Sequence, residues 1–134
     1  MIHFDTSFVV DFLREGTRSE LGPARALFKS LPRQPHAISV FALCELLAGA
    51  AQANRGDQER EKVRLFCSRL RTAYPDEGFA EDYGRIVGTL KRSGRNPRAM
   101  DVLIATAAVR DGAHLVTRDS KDFLGVPGLE VISY

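Results

Sequence analysis

Short apolar segments alternate with longer amphipathic segments along the whole of this sequence. The apolar segments have strand patterns, and they are IHF at 2–4, HAISV at 36–40, TAYP at 72–75, AHLVT at 113–117 and LEVIS at 129–133. The third pattern suits only an edge strand, because it ends in Pro75. Strands that alternate with helices predict an α/β fold, in which a parallel sheet of about five strands is flanked by helices on both faces.

The segments between these strands have the apolar spacing of helices. Helical patterns cover 23–31, 41–53, 57–71, 78–93 and 100–111, and a further helix begins near Phe8, after the candidate capping hydroxyls of Thr6 and Ser7. No repeat and no low-complexity linker divides the chain of 134 residues. We therefore expect a single domain that spans 1–134.

The composition narrows the setting of the protein. The chain is 44% hydrophobic and 27% charged, as in globular domains, and no apolar run approaches the roughly 20 residues of a membrane span. The start MIHFDTS lacks the basic and apolar regions of a secretory signal. Cys44 and Cys67 lie in apolar helical patterns without metal-ligand spacing. We therefore expect buried, reduced thiols and a cytoplasmic protein with no membrane partner.

Four carboxylates stand where helices follow strands or loops, and they are Asp5, Glu45, Asp101 and Asp119. Capping and helix-dipole roles would each explain Asp101 or Asp119 alone. Glu45 lies in the apolar segment FALCELLAGA, where a carboxylate needs a partner or a cation. Because parallel strands bring their carboxyl ends to one edge of a sheet, we expect the four acids to converge there.

Converging carboxylates require a positive charge. Two of them about 4 Å apart repel by about 4 kcal/mol at an effective dielectric near 20, and several such pairs would rival the roughly 5 to 15 kcal/mol that stabilises a domain. Mg²⁺, or Mn²⁺ as an alternative, prefers such oxygen ligands. The three histidines, His3, His36 and His114, lack the spacing of a zinc site. Carboxylate-held Mg²⁺ suits phosphodiester hydrolysis, because the ion binds phosphate and activates water.

A basic run precedes Asp101. The segment KRSGRNPR contains Lys91, Arg92, Arg95 and Arg98 and no acid. A solvated helix end would explain such a run by itself. Beside a carboxylate site, the same four side chains are candidates for binding the phosphates of RNA.

Three segments of the chain resemble the PIN-domain family, and within it the VapC-like ribonuclease toxins of bacterial toxin-antitoxin pairs. The segments are MIHFDTSFVVDFL, AISVFALCELLAGA and SGRNPRAMDVLIATAAVRDGAHLVTRDSKDF, and the resemblance extends over essentially the whole chain. It implies that Asp5, Glu45 and Asp101 form a metal site.

The same resemblance implies a role for the segment TRDSKDF. It indicates Asp119 as the fourth acid, with Asp122 as a rival for that place, and it gives Ser7 and Thr117 the role of orienting the carboxylates. It further implies a homodimer that cleaves RNA and is inhibited by a cognate antitoxin protein, whose tail lies across the active-site groove.

Two other functions are compatible with parts of the pattern. A haloacid-dehalogenase-like phosphatase also begins with an aspartate after its first strand, but it needs a second aspartate where this chain has Ser7. A non-catalytic module that only binds RNA or a partner would leave the acids without a catalytic role. A metal-dependent nuclease activity would distinguish the enzyme from such a module.

Overall fold

The computed structural model describes every residue, Met1–Tyr134, and contains one sheet of five parallel strands. The strands are β1 (Ile2–Phe4), β2 (His36–Ser39), β3 (Arg71–Ala73), β4 (His114–Val116) and β5 (Glu130–Ile132). Their order in the sheet is β3-β2-β1-β4-β5, and each neighbouring pair is parallel. The predicted α/β class and five-stranded parallel sheet are confirmed.

Six α-helices and one short 3₁₀-helix connect the strands. They are α1 (Thr6–Glu15), α2 (Pro23–Ser30), α3 (Val40–Gln52), α4 (Gly56–Cys67), α5 (Phe79–Arg92), α6 (Ala99–Arg110) and the 3₁₀-helix Ser120–Phe123. The prediction that α4 extends to residue 71 was wrong, because Arg71 already pairs with Ala37 in the sheet. The predicted start of α1 was also late, since Asp5 is its N-cap residue and the hydroxyls of Thr6 and Ser7 do not cap it.

The strand order reverses at the middle of the sheet. The chain runs outward from β1 through β2 to the edge strand β3, then returns to β4 on the other side of β1 and continues to β5. Right-handed crossovers in opposite directions place α1–α4 on one face and α5 and α6 on the other. The crevice between the carboxyl ends of β1 and β4 is therefore the point at which such sheets bind ligands.

The first strand lies at the centre of the hydrophobic core. All three of its side chains are buried, and the ring of Phe4 stacks on that of Phe8 in α1 with 4.7 Å between centroids. Phe28 of α2 and Phe66 of α4 also pack against Phe4. This packing fixes the end of β1, and with it the backbone of Asp5.

Two burial predictions for α3 fail. Cys44 is exposed and Leu47 is 39% exposed, although Leu46 between α3 and the core is buried as expected. The helix is apolar around most of its circumference, so the spacing of its apolar residues does not reveal which side faces inward. Cys67 is half-buried, and both thiols are free, as predicted.

No helix of the structure combines the length and the apolarity needed to cross a membrane.

Candidate metal centre

Asp5 is held at the carboxyl end of β1 by the neighbouring strand. Its backbone N–H donates to the carbonyl of Val116 at 2.9 Å, which ties the end of β1 to the end of β4. Its side chain is buried, and Oδ2 accepts hydrogen bonds from Thr117 Oγ1 at 2.7 Å and Ser7 Oγ at 2.9 Å. Burial raises the pKa of Asp5, although these two hydroxyl donors oppose the rise. A cation beside this carboxylate would favour its ionised form.

The two hydroxyls also organise the loop that follows β4. Thr117 Oγ1 accepts the backbone N–H of Asp119 at 3.0 Å, and Ser7 Oγ accepts that of Arg118 at 3.2 Å. Each hydroxyl can therefore donate to Asp5 while it accepts from the loop. This arrangement is what an orienting role for Ser7 and Thr117 requires.

Glu45 reaches the same edge of the sheet from α3. Its Oε1 accepts the hydroxyl of Thr6 at 2.6 Å, and its Oε2 lies 3.5 Å from Arg98 Nη2. The sequence analysis gave Thr6 only a capping role, whereas the structure shows its hydroxyl bound to Glu45. A hydroxyl directly after Asp5 was the one sequence signal that could have indicated this contact.

Asp101 lies in the first turn of α6 and is only 9% exposed. Burial is the main cause that raises its pKa to about 6, and the charges of Asp122, Asp5 and Glu45 raise it further. Arg98 acts in the opposite direction, with Nε 3.6 Å from Asp101 Oδ2. Three acids from distant parts of the sequence thus act on Asp101 electrostatically.

The two candidates for the fourth acid lie differently. Asp119 precedes the 3₁₀-helix, and its carboxylate contacts the guanidinium of Arg118 at 3.3 Å. Asp122 lies within the 3₁₀-helix and lines, together with Asp101, a surface cavity of about 400 Å³. The structure therefore brings Asp122 into the same cavity as Asp101, whereas Asp119 is directed toward Arg118.

The basic run divides into two pairs. Lys91 and Arg92 are exposed on the last turn of α5, outside the cavity beside Asp101. Arg95 and Arg98 line that cavity, together with Lys121 of the 3₁₀-helix. Lys121 was not among the predicted residues, because two acids flank it closely in the sequence and hide its contribution to a basic surface.

The side chains offer a donor set that fits Mg²⁺ or Mn²⁺, because every acid contributes hard carboxylate oxygen. As they stand, no three Asp, Glu, His or Cys side chains are close enough together to hold an ion. The guanidinium of Arg98 lies beside both Glu45 and Asp101 and partly balances their charge. Desolvated carboxylates that raise one another's pKa are the environment in which a divalent cation is most stabilising.

Comparison with known protein families follows the same division of residues. The family model described as PIN domain matches residues 2–129, which include β1, the acids and most of β4 to β5. The chain belongs to the PIN-domain family.

Known relatives of this PIN domain are VapC proteins. It is 32% identical over 93 residues to Ribonuclease VapC2 of Rickettsia felis, which covers 69% of each chain. It is 29% identical over 107 residues to Ribonuclease VapC1 of Haemophilus influenzae, which covers 80% of each chain. The crystal structure of VapBC2 from Rickettsia felis, bound to a DNA fragment from the promoter, superposes with a TM-score of 0.88 at 26% identity. That match covers 100% of this PIN domain and 99% of the other chain.

Proposed function

We propose that the protein is a VapC-like endoribonuclease that hydrolyses RNA phosphodiester bonds with Mg²⁺, or Mn²⁺ in its place. One observation carries the proposal. Asp5, at the β1 end of the strand-order reversal, is oriented by Ser7 and Thr117 beside Asp101, whose pKa is raised by burial and by neighbouring acids. The likeness to relatives named VapC ribonucleases supports RNA as the substrate.

The proposed metal ligands are Asp5, Glu45 and Asp101, with Asp119 as the fourth acid and Asp122 as its rival. A bound ion would supply Lewis acidity toward a phosphate oxygen and an acidified water. The chain's own groups hold the carboxylates in position: Thr117 and Ser7 orient Asp5, and Thr6 orients Glu45. Comparing Asp119→Asn with Asp122→Asn in one Mn²⁺ titration identifies the fourth ligand, since its variant weakens binding more.

The proposal includes partners. RNA would contact the basic run of Lys91, Arg92, Arg95 and Arg98. A cognate antitoxin would bind the toxin and inhibit it, which the VapBC2 assembly among the structural neighbours supports. The functional form would be a homodimer in the cytoplasm, and light scattering of the purified protein measures that oligomeric state.

Cleavage of RNA by the purified protein tests the proposed activity. We expect wild type to cleave in Mg²⁺ or Mn²⁺ and to stop in EDTA. Asp5→Asn and Asp101→Asn should each lower kcat by about 100-fold or more, because several kcal/mol of charge stabilisation depend on the ion. Asp57→Asn, which changes an exposed acid on α4, is the matched control and should retain activity. Folded wild type that binds RNA but leaves it intact with either ion would instead indicate a non-catalytic module.

A further inference from the structure

The cavity beside Asp101 has two chemically different sides. Asp101 and Asp122 contribute carboxylates, whereas Arg95, Arg98 and Lys121 contribute cations. Its volume of about 400 Å³ lies within the range of small-ligand sites. With three cations and two carboxylates, the lining has a formal charge of +1 before any ion binds. An anionic group adjacent to the acids is the ligand that this arrangement favours.

The cations of the cavity are not equally free. Arg98 lies against Glu45 and Asp101, so its charge is already used within the acid cluster. Arg95 and Lys121 take part in none of the ion pairs of the structure, which elsewhere engage many of the arginines, including Arg118. Two unpaired cations from separate elements therefore line the same cavity and are available to an incoming anion.

Close packing against a glycine holds Arg95. Gly125 has φ +78°, and a Cβ added there would lie 2.7 Å from Nε of Arg95. The arginine side chain therefore crosses directly over the Gly125 backbone, just beyond the 3₁₀-helix that contains Lys121. This contact restrains a side chain that would otherwise move freely in solvent, and it holds the guanidinium at the cavity.

We propose that Arg95 and Lys121 form a subsite for an RNA phosphate adjacent to the one at the carboxylates. The inference rests on the proposed function and names two residues that position the substrate, one of which the sequence analysis did not select. Arg binds phosphate through paired N–H donors and Lys as a point charge, so together they hold one phosphate without reading a base. Lys91 and Arg92 lie outside this subsite.

Two double variants with the same change in charge test the subsite. Binding of a short fluorescein-labelled single-stranded RNA is followed by anisotropy in EDTA, over a series of KCl concentrations. We expect Arg95→Gln with Lys121→Gln to raise Kd by about 10-fold or more and to reduce the salt slope by up to about 1.4, at about 0.7 per lost phosphate contact. Lys91→Gln with Arg92→Gln removes the same charge and should change Kd by less than about 3-fold, as expected of contacts outside the site.

A pair of glycine variants separates the position of Arg95 from its charge. Gly125→Ala displaces the arginine, whereas Gly128→Ala has the same φ of +78° and meets only Val109 Cγ1 at 3.6 Å. We expect weaker RNA binding from the first variant alone, with thermal melts confirming that both are folded.

The outcomes distinguish the subsite from the proposed activity. RNA binding that depends on Arg95 and Lys121, without cleavage in Mg²⁺ or Mn²⁺, supports the subsite and overturns the ribonuclease. Equal losses from the two double variants, or no RNA binding by wild type, overturn the subsite. Where cleavage occurs, the subsite requires that the Arg95 and Lys121 variant raise KM far more than it lowers kcat.

Discussion

The hydroxyl of Thr117 links the buried carboxylate of Asp5 to the loop that carries Asp119. Thr117→Val removes this hydroxyl at nearly constant volume, so we expect unfolding to become easier by about 1 to 2 kcal/mol. Mn²⁺ affinity should fall by about 10- to 100-fold, because an oriented ligand loses its support. Thr106→Val is the control, since that buried hydroxyl donates to the Val102 carbonyl at 2.7 Å, away from the acids. Equal Mn²⁺ affinities in the two variants would show that Thr117 has no orienting role.

Asp101 makes the stability of the metal-free protein depend on pH. Its folded-state pKa of about 6 lies above its ordinary value of 3.8, so the folded state keeps a proton that the unfolded state releases. The free energy of unfolding contributed by this group is therefore full below the lower value and decreases as pH rises through the higher one.

The variant Asp101→Asn tests this dependence, because its amide cannot ionise. In EDTA at neutral pH, we expect it to be more stable than wild type by about 1 to 2 kcal/mol, since one pKa unit is worth about 1.4 kcal/mol and residual solvent contact reduces the effect. Below about pH 4 the difference should vanish. Urea unfolding at several pH values measures it, and a constant difference across the range would contradict the account.

The sequence predicted the site at residue scale as far as local position could. Asp5 and Asp101 were found because one follows a strand and the other opens a helix. The contact of Thr6 with Glu45, 39 residues away, has no local signature. The same is true of Arg98, whose guanidinium lies beside a carboxylate 53 residues earlier in the chain. Side-chain direction decides such contacts, and no periodic pattern encodes it.

Between α1 and α2, one carboxylate joins two elements. Glu15, the last residue of α1, is buried, and its oxygens accept the backbone N–H groups of Ala24 and Arg25 at 3.0 Å each. These N–H groups belong to the uncapped first turn of α2, which has no side-chain partner at its own N-cap, Gly22. A carboxylate at this position also complements the helix dipole.

We expect Glu15→Ala to destabilise the protein by about 2 to 3 kcal/mol, because it leaves two backbone donors unpaired in a buried setting. Glu20→Ala, an exposed change in the loop between the two helices, should remain within about 0.5 kcal/mol of wild type. Denaturant midpoints measure both variants. If they shift equally, the link between the two helices does not contribute to stability.

Elements with one buried face were predicted well, and elements without such a face were not. Helix α5 has apolar residues on one side only, and its predicted span of 78–93 differs by one residue at each end from Phe79–Arg92. Helix α3 is apolar nearly all round, so its exposed Cys44 and Leu47 could not be recognised. Periodicity identifies a buried face only where polar residues mark the opposite one.

At the scale of the whole molecule, topology explains why acids so far apart in sequence can cooperate. The return of the chain from β3 to β4 brings the end of β4 beside the end of β1. Strand alternation in the sequence predicted parallel pairing, and parallel pairing gathers the carboxyl ends at one edge. The order of the strands was not predicted, because short apolar segments of similar composition do not specify their neighbours.

A calorimetric titration of Mn²⁺ into wild type and Asp101→Asn at neutral pH tests the central claim, that the acids at this edge hold a divalent cation. The account predicts saturable binding to wild type and at least about tenfold weaker binding to the variant, as expected when one ligand is lost. Absence of binding to wild type, or identical isotherms for the two proteins, would contradict a metal site at Asp101.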